Sequence, residues 1–337
     1  MNQKPIFIIG MHKSGTSLLR NLFDGHPQIF SVPIETHFFQ LMNYWVDYDY
    51  RFERPQQRSA EEMKNRFFLW VQQCNRSKDP FADSIAYGIF DEKRFQTLFF
   101  KNFDVNNHKK SFEAYIHALY YSLHNKSIPE KIRVLEKSVE HAEFAQDLHQ
   151  FYPKAKFIHI LRNPYATIVS LRKYKSIHFG YPIIKRVMNT LSNHYYFLYR
   201  NRRSIKYYYL IKYEDLVKNP KKEMEALCRF IEIPFEPTLL IPTYQREAWQ
   251  GNSMSGQKFK GIESTLLESW KNEIHPMEIE YINRLFPFVL EDYGYERIKL
   301  KNGFWKPQKG ENLARYLANR FYKYFLQEWD SLINDPS

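Results

Sequence analysis

Four consecutive apolar residues, Ile6 to Ile9, run straight into Gly10, and after Gly15 the apolar spacing changes to Leu18, Leu19, Leu22 and Phe23. A continuous apolar run, a glycine-bounded break and then helical spacing predict a buried strand, a tight loop and a helix. Gly10 and Gly15 permit backbone angles that crowd other residues. The loop amides can therefore turn inward and face an anion at the helix N-terminus. The stretch IFIIGMHKSGTSLL is shaped to hold a phosphate, and the rest of the chain must build a sheet around its strand.

What the loop lacks narrows the phosphate. A Walker A loop reads G-x-x-x-x-G-K-[ST], and its lysine reaches the β- and γ-phosphates of a nucleoside triphosphate. Here the glycines have that spacing, but Thr16 and Ser17 follow Gly15, and the lysine comes earlier, at Lys13. Such a loop grips one 5′-phosphate and brings a cation to whatever is bonded to it, which points away from ATP hydrolysis.

The run GMHKSGTSLL resembles the 5′-phosphosulfate loop of the sulfotransferases that use 3′-phosphoadenosine 5′-phosphosulfate (PAPS), where a [RK]-[ST]-G-T-[ST] core follows the first strand. The resemblance implies that His12, Lys13, Ser14, Gly15, Thr16 and Ser17 hold the phosphosulfate, with Lys13 also acting in catalysis. Further along, HP followed by ETHFF is similar to the Golgi and tyrosylprotein branch, in which a glutamate at this place is the general base. Pro33 keeps Val32 extended and presents Glu35 just beyond a short strand or turn. Glu35 is then the expected base, with His37 as the alternative.

The segment IRVLEKSVEHAEFAQDLHQFYPKAKFIHILRNP reads as a strand over Ile132 to Leu135, a helix capped by Glu136, Lys137 and Ser138, and a strand over Phe157 to Leu161. A strand-helix-strand crossover implies parallel pairing. EKS followed by EH resembles the family motif E-K-[ST]-P-x-H, with Val139 in place of proline, and implies that Lys137 offsets charge on the departing nucleotide. Next, Asn163 is a good N-cap and Pro164 fits the first helical position, which leaves Arg162 at the strand mouth and Ser170 one to two turns into the helix. Arginine holds a phosphate through paired hydrogen bonds. The pattern L-R-N-P-x(5)-S resembles the family's 3′-phosphate motif, with Tyr165 and Ala166 where R-D is usual.

A strand over Tyr207 to Ile211 leads into YEDL, whose Tyr213, Glu214 and Asp215 read as closing a turn and capping a helix with Met224, Leu227, Cys228 and Ile231 on one face. The stretch from Gly251 to Gly261 is small, polar and cationic, and is similar to the loop with which the family closes its nucleotide site. That implies contacts to the 3′-phosphate from Lys260 and Gly261, and to the sulfonate from Ser253 or Ser255. A helix containing Trp270 follows, and a last helix with Ile279, Ile282, Phe286 and Val289 on one side ends at Gly294.

With 49 Lys+Arg against 37 Asp+Glu, the net charge of +12 favours anionic partners, and aromatic residues at 18% suit either a sugar-binding cleft or an ordinary core. Two cysteines, Cys74 and Cys228, make neither a disulfide framework nor a metal motif. No signal peptide precedes the first strand and no run of about 18 apolar residues is present, so a cytoplasmic protein without the membrane anchor of Golgi relatives is expected.

The expectation is an α/β, P-loop kinase-like three-layer fold with a central parallel sheet flanked by helices. Residues 1–300 form a catalytic domain, within which 38–130 are a variable acceptor-side helical region, and 301–337 are a basic aromatic extension. The extension repeats apolar residues at helical spacing over 313–332, a pattern for packing back on the domain or for lying on an anionic membrane surface. The implied activity is sulfonate transfer from PAPS to a hydroxyl or amine, with PAP released, no metal required and no nucleic-acid partner. A carbohydrate, free or lipid-linked, is the expected acceptor. Two other classes fit parts of the sequence, a nucleotide kinase and a non-catalytic polyanion- or membrane-binding protein, but neither accounts for the Arg162 and Ser170 pattern.

Overall fold

The computed structural model describes residues 4–44, 46, 57–77, 90–179, 184–249, 251, 258–259 and 261–300, with the backbone alone for 175–179 and 184–186. Its main sheet contains β1 (Ile6–Gly10), β2 (Ile29–Ser31), β3 (Arg133–Lys137), β4 (Lys156–Leu161) and β5 (Tyr208–Lys212). The order in space is β2-β3-β1-β4-β5 and all pairings are parallel. Parallel sheets need cover on both faces, and the side chains of β1 supply it alternately. Phe7 and Ile9 enter one core with Phe112, Tyr152 and Phe157, while Ile6 and Ile8 enter another with Leu19, Leu22, Leu227 and Cys228. Two cores on opposite faces of one sheet make the three-layer α/β, P-loop kinase-like architecture expected from the sequence.

Helix α1 (Thr16–Phe23) starts on Gly15, whose φ of 103° no side-chain-bearing residue adopts cheaply. A Cβ at Gly15 would also stand 2.4 Å from Cδ2 of Tyr213. The helix ends at Asp24, without a left-handed cap from Gly25. Asp24 instead accepts hydrogen bonds from Thr243 Oγ1 at 2.9 Å and Arg246 N at 2.7 Å, so a later loop ties off the turn.

Between β2 and β3 the chain forms α2 (Ala60–Arg76), α3 (Glu92–Asn102) and α4 (His108–His124). Phe67 stands at their junction, with ring centroids 5.0 Å from Phe99 and 4.9 Å from Tyr115. Each ring buried this way stabilises the fold by about 1.5–3 kcal/mol. Many of the abundant aromatics are therefore core residues.

Three expectations need correction. Strand β3 runs on through Lys137, so Glu136 and Lys137 do not cap a helix, and a 3₁₀ turn over Val139–Ala142 precedes the helix Ala145–Phe151. Glu136 and Lys137 pair across the sheet with β1, which keeps the backbone extended. Trp270 sits in a 3₁₀ turn (Ser269–Asn272), stacked on Tyr165 at 5.7 Å, and not in a longer helix. The last helix is two, Pro276–Leu285 and Pro287–Asp292, because Pro287 interrupts it before the chain turns at Gly294 with φ 63°.

The packing of Tyr213 under the loop makes a test of the local fold. Gly15→Ala is expected to destabilise the protein by about 1–3 kcal/mol in urea unfolding. Unchanged stability would contradict the contact.

Candidate active site

The register of the sheet brings the chemistry together. Strand β1 pairs with β3 on one side, Ile8 opposite Lys137, and with β4 on the other, Gly10 opposite Ile160. The segments after Gly10, Lys137 and Leu161 therefore emerge side by side at the carboxyl edge, where parallel α/β sheets place ligands.

The first segment is the phosphate loop. Ser14 donates to Met11 O from both its amide, at 3.2 Å, and its hydroxyl, at 2.6 Å, which closes the turn. Lys13 takes a left-handed φ of 63°. Its ammonium stands 4.6 Å from the Tyr174 ring centroid, and the His12 ring stacks on the same tyrosine at 5.7 Å.

The β4 segment reaches the same loop. Arg162 Nη1 donates to Lys13 O at 2.9 Å and to Ser170 Oγ at 3.3 Å, and its guanidinium stands 4.8 Å from the Tyr213 ring centroid. Its Nε is buried without a hydrogen-bond partner among the described residues. Ser170 lies on α5 (Pro164–Phe179), whose first turn is fixed by Tyr165 N donating to Asn163 Oδ1 at 2.9 Å, as the sequence led us to expect. Glu214 accepts from Asn163 N at 2.9 Å and from Tyr295 Oη at 3.1 Å, so its role is structural.

The β3 segment meets the turn that carries Glu35. Lys137 Nζ, 2% exposed, donates to Glu35 Oε1, and Glu35 Oε2 accepts from Val139 N at 3.3 Å. The Glu35 carbonyl accepts from Trp70 Nε1 on α2 at 2.9 Å. Two further carboxylates are paired beside it. His37 Nδ1 lies 2.7 Å from Glu140 Oε1, and His141 Nδ1 lies 2.7 Å from Glu136 Oε2, the second pair fully buried. Glu136 Oε1 also accepts from Thr36 Oγ1 at 2.9 Å and from Ser138 Oγ, while Thr36 N donates to Ser138 Oγ at 2.8 Å. The Glu35-Thr36-His37 turn is thus bolted to Glu136–His141 residue by residue. The sequence suggests only a capping role for Glu136 and Ser138 and none for Glu140 and His141, although the clustered charges of EKSVEH are visible there.

These contacts set the charge state. Burial alone would raise the Glu35 carboxyl, but Lys137, with His37 and His12 behind it, holds the group well below the usual carboxylate range. Burial lowers the Lys13 ammonium, Lys137 and Arg162 lower it further against the pull of Glu35, and it titrates at about 8. Burial disfavours a charged His141, yet Glu136 overrides it and raises its pKa. Lys137 and Arg162 both act on Lys13, with Glu35 opposing them, so the loop side of the edge gathers positive charge suited to phosphate and sulfonate groups. One ligand atom each from Glu35, His37 and Glu140 lies within 4.8 Å of the others, a spacing open to a small cation, but Lys137 and His37 already serve the two carboxylates.

The sequence profile of the sulfotransferase family matches residues 5–237, which includes all three segments. The chain belongs to the sulfotransferase family. The sulfotransferase domain from the curacin biosynthetic pathway shares its fold with a TM-score of 0.56 at 20% identity, over 88% of this chain and 99% of that one. The sulfotransferase domain of the Synechococcus PCC 7002 olefin synthase gives 0.46 at 20% identity, over 80% and 88%. A mouse sulfotransferase complexed with PAP gives 0.44 at 14% identity, over 87% and 88%. No curated protein sequence matches the chain.

Of the sulfotransferase residues expected from the sequence, the structure gathers the loop, Glu35, Lys137, Arg162 and Ser170. Ser253, Ser255, Lys260 and the 313–332 segment lie outside the described residues. A Cβ added at Gly261 would meet none of the described residues within 4 Å, and Phe259 packs on Gly251, where a Cβ would meet its ring at 2.4 Å. Among the described residues no helix is long and apolar enough to cross a membrane.

The depressed Lys13 gives the site a pH signature. Free Lys13 loses its proton above about 8. A bound phosphate favours the charged form and raises that pKa, so binding takes up a proton there. The affinity for a phosphate-bearing nucleotide is therefore expected to fall as pH rises from about 7 to 9.5 in calorimetric titrations. A flat affinity across that range would place the phosphate away from Lys13.

Proposed function

We propose that this sulfotransferase transfers the sulfonate of PAPS to a hydroxyl or amine of an acceptor and releases PAP. The observation that carries the reading is the grouping of Lys137, Arg162 and Glu35 about Lys13, in a chain whose loop lacks the Walker lysine. The unpartnered Arg162 Nε, beside a serine hydroxyl, supports a second anion site next to the loop.

The residues divide the work as follows. The amides from Gly15 to Ser17, with His12 and Lys13, hold the 5′-phosphosulfate at the N-terminus of α1. Arg162 and Ser170 hold the 3′-phosphate. Bound there, PAPS supplies an activated sulfonate, whose sulfur passes to the acceptor oxygen as its bond to the 5′-phosphate breaks. Glu35 takes the proton of the acceptor hydroxyl, in the manner of the glutamate-base branch. Lys137 offsets the charge that develops on the departing phosphate, and Lys13 adds to it. Positioning by the bolted turn and fixed electrostatics carry most of the rate.

The acceptor approaches Glu35 from the α2 side, where Trp70 and His37 pack edge to face at 4.7 Å. A partly exposed indole beside the base suits the apolar face of a sugar ring, and we assign a carbohydrate, free or lipid-linked, as the acceptor class. The domain is assigned to residues 1–300, with Lys260, Gly261 and Ser253 or Ser255 closing over the nucleotide from the loop before Trp270. The 301–337 extension is assigned to packing or peripheral membrane contact of a cytoplasmic enzyme.

The test is transfer of labelled sulfonate from PAPS to a panel of glycans, phenols and amines. Glu35→Gln is expected to lower turnover by about 10²–10⁴-fold on whichever acceptor works. Near-full turnover in that variant would show that Glu35 is not the base, and PAPS left intact with every acceptor would count against the activity.

A further inference from the structure

The residue assigned as base and the residue assigned to the donor are bonded to each other. Lys137 is 2% exposed, and its ammonium donates to Glu35, whose side chain is 15% exposed. The other Glu35 oxygen accepts from Val139 N, so the carboxylate is held on two sides and not merely near a cation. The charges that act on Glu35 are Lys137, His37 and His12, and Glu35 in turn acts on Lys13 and on Glu140. Of the cations, His37 is committed to Glu140 at 2.7 Å. Lys137, which bonds to Glu35 directly, is its counter-ion.

We propose that Glu35 is an internal counter-ion which competes with the anionic donor for Lys137, so that donor binding itself frees the base and makes it more basic. The inference rests on the PAPS reading above. An ammonium has three protons and can touch two anions, but it has one charge to share between them. Carboxylate and phosphosulfate therefore oppose each other across Lys137. Coupling between two sites is reciprocal. If the Glu35 charge weakens donor binding by some factor, bound donor raises the proton affinity of Glu35 by the same factor. The ligand-free enzyme then holds a poor base, and an acceptor arriving first meets a carboxylate already engaged. The donor binds before the acceptor, and the base is competent where there is a sulfonate to transfer.

This assignment makes an outcome that a purely catalytic or structural Glu35 does not. Glu35→Gln is isosteric, keeps an oxygen for Val139 N, and leaves the buried Lys137 without its counter-ion. An anion restores the missing partner. Titration calorimetry with PAP is expected to show Glu35→Gln binding about tenfold tighter than the parent. Lys137→Met is expected to bind PAP more weakly than the parent, and adding Glu35→Gln to it is expected to give little further change. Equal or weaker PAP binding by Glu35→Gln, in a protein that melts like the parent, overturns the proposal. So does the same gain in affinity when Lys137 is absent.

A second variant guards against one that fails to fold. Glu35→Ala removes the same charge without leaving an amide, and is expected to gain PAP affinity as Glu35→Gln does. No gain in either variant, when it melts like the parent, contradicts the competition. Failure of the parent to bind PAP at all instead sinks the sulfotransferase-donor reading on which the proposal stands.

Discussion

The pairing of β1 between β3 and β4 is the constraint on which the site depends. Ile8 lies opposite Lys137 and Gly10 opposite Ile160, and from that register follow the positions of the loop amides, Lys137 and Arg162. Because the strands are parallel, the segments that follow them leave from the same edge. The charged groups need no further device to meet. Alternate residues of β1 anchor the strand in two cores, so the register cannot slip by one residue without turning Phe7 and Ile9 to the face that Ile6 and Ile8 fill.

Such a frame lets the edge hold an unusual density of ionisable groups. Each carboxylate there has a cationic or imidazole partner: Glu35 with Lys137, Glu136 with His141, Glu140 with His37. Buried pairs of this kind add little net stability, but removing one member is costly, which fixes the geometry of the others. His37 pays for its place with a left-handed φ of 47°, a strain that the Glu140 and Trp70 contacts on either side hold in position. The surplus cations, Lys13 and Arg162, sit at the loop where an anion belongs. Structure and charge thus separate a cationic side, made by the loop and Arg162, from a side made by α2 and the Glu35 turn, and the proposed reading gives the first to the donor and the second to the acceptor.

What could be read from the sequence was local. The strand-loop-helix of Ile6 to Phe23, the Asn163 cap that follows Arg162, and the buried face of Met224, Leu227, Cys228 and Ile231 each announce themselves within a short continuous stretch. The supports of Glu35 did not. Thr36 meets Glu136 across 100 residues, His37 meets Glu140 across 103, and Trp70 reaches the Glu35 carbonyl across 35. Buried ion pairs have no periodicity that links their partners in one sequence. The misplaced helix start at Glu136 has a related cause: three polar residues look like a cap until the pairing of β3 with β1 keeps them extended. The break at Pro287 was legible in principle, since proline disrupts a helix interior, but the continuous apolar spacing across it masked the stop.

The central claim is that this edge holds two phosphate positions, at the loop and at Arg162 with Ser170, and no triphosphate. Thermal melting of the protein with PAP, with 5′-AMP and with ATP plus magnesium tests it most directly. A ligand at about 100 times its dissociation constant adds about 2.7 kcal/mol and moves the midpoint by a few degrees. The account predicts a clear shift with PAP, a much smaller one with 5′-AMP at the same concentration, and little with ATP and magnesium. A shift with ATP and magnesium but not with PAP would contradict it.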